Sequence, residues 1–119
     1  MFQLKAYDVP PASRTAKGQA LVNFLQTSSE EKVNAVLMLD PAFAGEGRKY
    51  LVMVTRGGLI KKVNIADLAN VRRSGLIAIK LKNGDALEWV KPSNGKNEII
   101  LTTRAGQAIR FAEDDVRPM

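Results

Sequence analysis

The chain has 119 residues, a formal net charge of +6, and neither histidine nor cysteine. These counts exclude Ser-His-Asp and Cys-His catalytic groups, His or Cys zinc sites and disulfides. We expect no bound metal and no cofactor. Its length fits one domain, and no apolar run approaches the roughly 20 residues of a membrane helix. The first residues lack a signal-peptide pattern, so a cytoplasmic protein is expected.

Short apolar runs rich in β-branched residues follow one another along the chain, separated by turn residues. The Gly57-Gly58 and Asn83-Gly84 pairs stand between neighbouring runs and predict tight hairpin turns. Ile65–Ala69 predicts a single helical turn, and Trp89 is expected in the core. Many short strands with evenly spaced turns favour an all-β sandwich, barrel or propeller. The predicted strands are Lys32–Leu39, Tyr50–Thr55, Leu59–Val63, Leu76–Leu81, Ala86–Val90, Glu98–Thr103 and Gln107–Phe111.

The positive charge is concentrated in the middle of the chain. Residues 56–82 contain seven Lys or Arg and one Asp, whereas acids and bases nearly balance in the segments before and after. A concentrated basic segment is typical of proteins that bind a polyanion, nucleic acid above all. A well-solvated surface without a partner is the alternative that charge alone leaves open.

An internal repeat narrows the choice of architecture. The sequence from Val54 to Val63 aligns with the sequence from Thr102 to Phe111 at a shift of 48 residues. Thr, Arg, Gly, a basic residue and a closing apolar residue recur in register. A period near 50 residues with about four strands in each unit is typical of propeller blades, which need neighbours to bury their faces.

Four stretches follow one another along the chain, namely Asp8–Gly18, Thr55–Lys62, Arg73–Ile79 and Ile109–Met119. Together they resemble the C-terminal domain of the bacterial DNA gyrase A protein. The resemblance runs over nearly the whole chain in the expected order. The chain also resembles the related domain of topoisomerase IV, but to a lesser degree. The resemblance implies an all-β fragment of about two β-pinwheel blades, propeller-like units of four-stranded antiparallel sheet. Approximate modules are 1–55 and 56–119, with strand exchange between blades and an entering strand at Gln3–Tyr7.

The resemblance also implies a function, namely non-catalytic binding and wrapping of double-stranded DNA on a basic outer rim. The implied partners are the remaining blades of the gyrase A protein and, in the holoenzyme, the gyrase B protein. The Gln-Arg-Arg-Gly-Gly-Lys-Gly box of the family is absent from this sequence. Cations of the outer strands and loops are expected to contact phosphates rather than bases. The predicted DNA-binding residues are Arg14, Lys17, Lys61, Lys62, Arg72, Arg73 and Arg110.

Other interpretations stay open at this point. Because neighbouring residues of a strand face opposite ways, Lys61 and Lys62 cannot both contact the same groove. Arg56 and Arg104 recur in the repeat, which fits a structural role equally well. A protein-interaction module with open sheet edges is the second hypothesis, and it predicts dimerisation or strand exchange of the chain. A carboxylate enzyme or cation site at Glu113–Asp115 is a third, against which a solvated turn is favoured.

Overall fold

The computed structural model describes residues 1–38, 47–72 and 74–119. They form two compact units. The first comprises Met1–Lys32 and Asn70–Ala78, and the second comprises Val33–Ala69 and Ile79–Met119. The predicted modules 1–55 and 56–119 were drawn from the sequence repeat, and this division stays a prediction.

The second unit contains five antiparallel strands. β1, β2 and β3 form one sheet in the order β2-β1-β3, and β4 pairs with β5 in another. We call the β1–β2 pair hairpin I and the β4–β5 pair hairpin II. The strands are β1 Tyr50–Thr55, β2 Ile60–Asn64, β3 Leu87–Ser93, β4 Glu98–Thr102 and β5 Ala108–Ala112.

The core lies on hairpin I because β1 is the central strand of its sheet. Residues Leu51–Thr55 are all buried, as the unbroken apolar run predicts. On the far edge of β2, Pro118 forms a parallel bridge with Lys62, and the Met119 N–H donates to the Lys62 carbonyl at 2.9 Å. The chain end thus runs along the second edge of β2.

The two hairpins have equivalent hydrogen bonds at their turns and the same strand register. The Thr55 N–H donates to the Leu59 carbonyl at 2.9 Å, and the Thr103 N–H donates to the Gln107 carbonyl at 2.8 Å. Each threonine hydroxyl then accepts the N–H of the residue four positions later, Leu59 or Gln107, at 3.0 and 3.1 Å. All five cross-strand pairs of hairpin II correspond to those of hairpin I at the same shift of 48 residues.

The turn of hairpin I uses its two glycines differently. Gly58 has φ +85°, a left-handed conformation that favours glycine, and its N–H donates to the Thr55 carbonyl. Gly57 has no positive φ and lies against Asp85. The residue equivalent to Gly58 in the second repeat is therefore also a glycine, Gly106, whereas the residue equivalent to Gly57 is Ala105. The predicted hairpin is confirmed.

The first unit contains two 3-10 helices, Ala6–Asp8 and Leu21–Asn23, and no strand among its described residues. Its two chain segments are joined at their ends, where Met1 and Leu76 exchange backbone hydrogen bonds at 2.8 Å. Two further 3-10 helices, Ile65–Leu68 and Glu113–Asp115, follow β2 and β5 in the second unit. No helix in the described ranges is long and apolar enough to span a membrane.

Three predicted strands are wrong over the residues that the structure describes. Residues 32–38 of Lys32–Leu39 are not a strand, and Leu39 lies outside the described residues; Leu76–Leu81 and Gln3–Tyr7 are not strands either. Each run has the composition of a strand but lacks a paired neighbour. The Asn83-Gly84 turn does form, with Gly84 at φ +78°, but it joins no hairpin because Leu76–Leu81 before it is not a strand.

Trp89 is also not a core residue, because 54% of its surface is exposed. It lies on β3, at the edge of the three-stranded sheet, where it is paired with Val54 on one side. The predicted helical turn after β2 is confirmed as Ile65–Leu68.

Candidate nucleic-acid interface

The predicted DNA-binding residues fall into both compact units. Arg14, Lys17 and Arg72 belong to the first unit, where all three are exposed. Lys61, Lys62 and Arg110 belong to hairpins I and II. The remaining one, Arg73, lies outside the described residues.

The first unit presents cations with few acids around them. Its sequence contains six Lys or Arg and three Asp or Glu. Arg14 lies in a turn in which the Ala16 N–H donates to the Ser13 carbonyl at 3.1 Å. Lys17 comes directly after this turn, and Gly18 follows at φ +72°. Within the described residues, no acid pairs with Arg14, Lys17 or Arg72. These charges are therefore available to an anion.

Lys62 does not fit the predicted phosphate contact. Its side chain is 3% exposed, and its Nζ donates to the Glu113 carbonyl at 2.9 Å and lies 5.0 Å from the Tyr50 ring centre. The Glu113 carboxylate, fully buried, lies 3.9 Å from the same Nζ. A lysine with this many buried partners stabilises the interior of the fold, because moving it out to a phosphate would break all of these contacts. The sequence expectation for Lys62 is corrected accordingly.

The buried charge of Glu113 is held by two further donors. The Ser93 hydroxyl donates to Oε1, and the Asn97 N–H donates to Oε2 at 3.3 Å. We call Tyr50, Lys62, Ser93, Asn97 and Glu113 the buried polar cluster. It joins hairpin I and β3 to the residues directly before and after hairpin II, so the acidic run Glu113–Asp115 is partly structural rather than a solvated turn. Within the described ranges no His, Cys, Asp or Glu cluster could hold a metal ion.

Two further cations, Arg56 and Arg110, are engaged by acids. The Arg56 guanidinium binds Glu88 Oε1 through Nε at 3.0 Å and Nη2 at 2.9 Å. This is the structural role that the recurrence of Arg56 left open. Arg110 Nη2 binds Glu98 Oε1 at 2.9 Å on the exposed face of hairpin II. Lys61 is half-buried on β2 opposite Met53.

The charge excess of residues 56–82 is divided between the two units. The segment crosses from the second unit to the first at Asn70 and returns at Ile79. Sequence reasoning missed the burial of Lys62, and the repeat held no signal of it, because Arg110 at the equivalent position is exposed. Lys62 and Arg110 occupy equivalent positions, and each contacts the residue at the first position of the partner strand, Tyr50 or Glu98.

The repeated antiparallel hairpins and their glycine turns define a propeller-type module. A family model described as "DNA gyrase C-terminal domain, beta-propeller" matches residues 1–40, 49–94 and 97–119. The chain belongs to this family, and the resemblance inferred from its sequence is confirmed.

Individual relatives agree with this assignment. The chain is 44% identical over 119 residues to the DNA gyrase A protein of Clostridium acetobutylicum, and 40% identical to that of Haemophilus influenzae. All of this chain is covered in both comparisons, but it spans 14% and 13% of those proteins. Among solved structures, the C-terminal domain of DNA topoisomerase IV is similar, with 30% identity and a TM-score of 0.74. That match covers 86% of this chain and 31% of the other.

Proposed function

We propose that this chain is a non-catalytic DNA-binding and DNA-wrapping part of a DNA gyrase A protein. The observation that carries the proposal is the set of exposed cations Arg14, Lys17 and Arg72, which have no acid partner among the described residues. Family membership indicates that the polyanion is DNA, since the relatives are DNA gyrases. Together they support phosphate binding on the first unit.

Wrapping then follows from many distributed phosphate contacts. Bending a duplex site costs about 1–6 kcal/mol, which such contacts can offset without reading the sequence. Arg73 and Lys61 stay among the proposed phosphate contacts. Lys62 is left out because it is buried, and the charge of Arg110 is partly neutralised by Glu98.

The partners in this proposal are double-stranded DNA, the other blades of the gyrase A protein and, in the holoenzyme, the gyrase B protein. Strand cleavage and ATP hydrolysis would belong to other parts of that type II topoisomerase. The chain would act in the bacterial cytoplasm, on the chromosome.

A salt titration tests the proposal. The affinity for a fluorescently labelled duplex is measured at several salt concentrations for the chain and for Arg14→Ala/Lys17→Ala/Arg72→Ala. The slope of log K against log salt is negative, and each lost phosphate contact reduces its magnitude by about 0.9. A clearly shallower slope is therefore expected for this variant. The control removes three other exposed cations, Lys91→Ala/Lys96→Ala/Arg117→Ala.

Equal slopes for the two variants would contradict the proposed surface, because net charge alone would then explain binding. No binding at low salt would contradict DNA binding by this chain. The second candidate function, a protein-interaction module, is favoured by one observation. Neither edge of hairpin II carries another strand among the described residues.

A further inference from the structure

Hydroxyl groups of the second unit take part in the chain's own hydrogen bonds. Those of Thr55 and Thr103 each accept the backbone N–H of the residue four positions later, at 3.0 and 3.1 Å. The Ser93 hydroxyl is buried and donates to the Glu113 carboxylate. A hydroxyl held in this way stabilises the fold, and its position is explained without any ligand.

Two hydroxyls of the first unit lack such a partner. We call residues 13–16 turn A and residues 72–75 turn B. Each turn is closed by a hydrogen bond from the N–H of its fourth residue to the carbonyl of its first, at 3.1 Å in turn A and 2.8 Å in turn B. The third residue is Thr15 in turn A and Ser74 in turn B. Both are exposed, and neither hydroxyl is hydrogen-bonded to another described residue.

Each of these hydroxyls lies close in the chain to an exposed arginine. Arg14 directly precedes Thr15 in turn A, and Arg72 lies two residues before Ser74 in turn B. Neither arginine is paired with an acid in the described part of the chain. A guanidinium and a hydroxyl that are both unpaired suit a phosphate, which offers negative charge and several acceptor oxygens to the same turn.

The first unit also contains hydroxyls without a basic neighbour. The side chains of Thr27 and Ser29 have no hydrogen bond to the rest of the described chain, but they are followed by Glu30 and Glu31. The Glu31 carboxylate already accepts the Ser28 N–H at 2.9 Å. A phosphate would be repelled by these acids. The nearby arginines therefore distinguish the hydroxyls of turns A and B from other hydroxyls of the same unit.

Turn B is also held firmly in place. Met1 and Leu76 exchange two backbone hydrogen bonds at 2.8 Å directly after the turn. Gly75 has φ +87°, and a Cβ at this position would lie 2.9 Å from the Phe2 ring. Ser74 is thus presented by a backbone with little freedom to move away, which reduces the entropy lost when its hydroxyl binds a phosphate.

We propose that Thr15 and Ser74 are phosphate-binding residues, each donating its hydroxyl hydrogen to a DNA phosphate that the arginine of its turn also binds. This inference rests on the proposed function, and it adds neutral donors to a surface so far defined by its cations. Such contacts to the DNA backbone fix the position of the protein on the duplex without reading its sequence. Because a neutral donor does not replace a counterion, its contribution to affinity does not depend on salt.

This difference in salt dependence provides the test. The affinity for the labelled duplex is measured at several salt concentrations for the unmodified chain and for Thr15→Val/Ser74→Ala. The variant loses two hydrogen bonds and is expected to bind about tenfold more weakly at every salt concentration, with an unchanged slope. The matched control, Thr27→Val/Ser29→Ala, removes one hydroxyl of each type and is expected to bind like the unmodified chain.

A second variant separates a hydroxyl contact from a structural role of these side chains. Thr15→Ser/Ser74→Thr changes both side chains but keeps both hydroxyls, so it is expected to retain the affinity of the unmodified chain. Unchanged affinity of Thr15→Val/Ser74→Ala would overturn the inference. An equal loss of affinity in the matched control, or in the variant that keeps the hydroxyls, would overturn it as well.

Failure of this inference is distinguishable from failure of the proposed function. A steep salt slope that Arg14→Ala/Lys17→Ala/Arg72→Ala makes shallower supports the phosphate-binding surface, whatever the hydroxyl variants do. A shallower slope in Thr15→Val/Ser74→Ala would mean that ionic contacts had been lost, and would overturn the assignment of the hydroxyls as neutral contacts. No binding by the unmodified chain would overturn both proposals.

Discussion

The buried ion pair between Lys62 and Glu113 should contribute strongly to the stability of the fold. Lys62→Met leaves a fully buried carboxylate with the Ser93 hydroxyl and the Asn97 N–H as donors but without its cation. Removing one partner of a buried pair costs about 3–5 kcal/mol of unfolding free energy. Glu113→Gln is expected to cost a similar amount, because it leaves the Lys62 ammonium buried.

A double-mutant cycle by urea unfolding measures this coupling. Lys62→Met/Glu113→Gln should cost less than the two single changes together, with a coupling of about 0.5–3 kcal/mol. The equivalent position provides the control. Arg110→Met breaks the pair with Glu98, whose side chains are 66% and 57% exposed, so it should cost at most about 1 kcal/mol. Similar costs for Lys62→Met and Arg110→Met would refute the reasoning.

Two further predictions concern the turns. The Thr55 hydroxyl and then the Gly57 N–H hold the pKa of Asp85 below 3.8. Its stabilising contribution is therefore complete above that pH and is lost as the pH falls through the lowered pKa. Asp85→Asn should lower the melting temperature at neutral pH. In acid, the difference in melting temperature between this variant and the unmodified chain should become smaller, and a difference that does not change with pH would contradict this. Gly58→Ala places alanine at φ +85° in open space and should cost about 1–2 kcal/mol. Gly95→Ala should cost more, because its Cβ would lie 2.7 Å from Tyr50 Cε2; denaturant unfolding that ranks them in reverse would be the contrary result.

Local sequence signals predicted the hairpins well. The Thr-Arg-Gly-Gly turn encodes its own hydrogen bonds through the Thr55 hydroxyl and the left-handed Gly58, so neither long-range contact nor burial is needed to recognise it. The internal repeat extended the same turn prediction to Thr103 and Gly106. Strands without such a turn were predicted less well, since Leu76–Leu81 has the composition of a strand but finds no paired neighbour.

The candidate site was harder to predict because exposure is a tertiary property. Lys61 and Lys62 are adjacent and chemically identical, and nothing in the sequence indicates that Glu113, 51 residues after Lys62, buries the second one. The charge excess around them likewise suggested one basic face. The fold instead divides that segment between two units and pairs part of its charge with acids.

Lysine footprinting with bound DNA tests the proposed function most directly. The chain is acetylated with and without a duplex, and each lysine is quantified by mass spectrometry. Our account predicts that DNA protects Lys17, that Lys91 reacts equally in both samples, and that buried Lys62 reacts in neither. Equal labelling of Lys17 with and without bound DNA would contradict a phosphate-binding surface on the first unit.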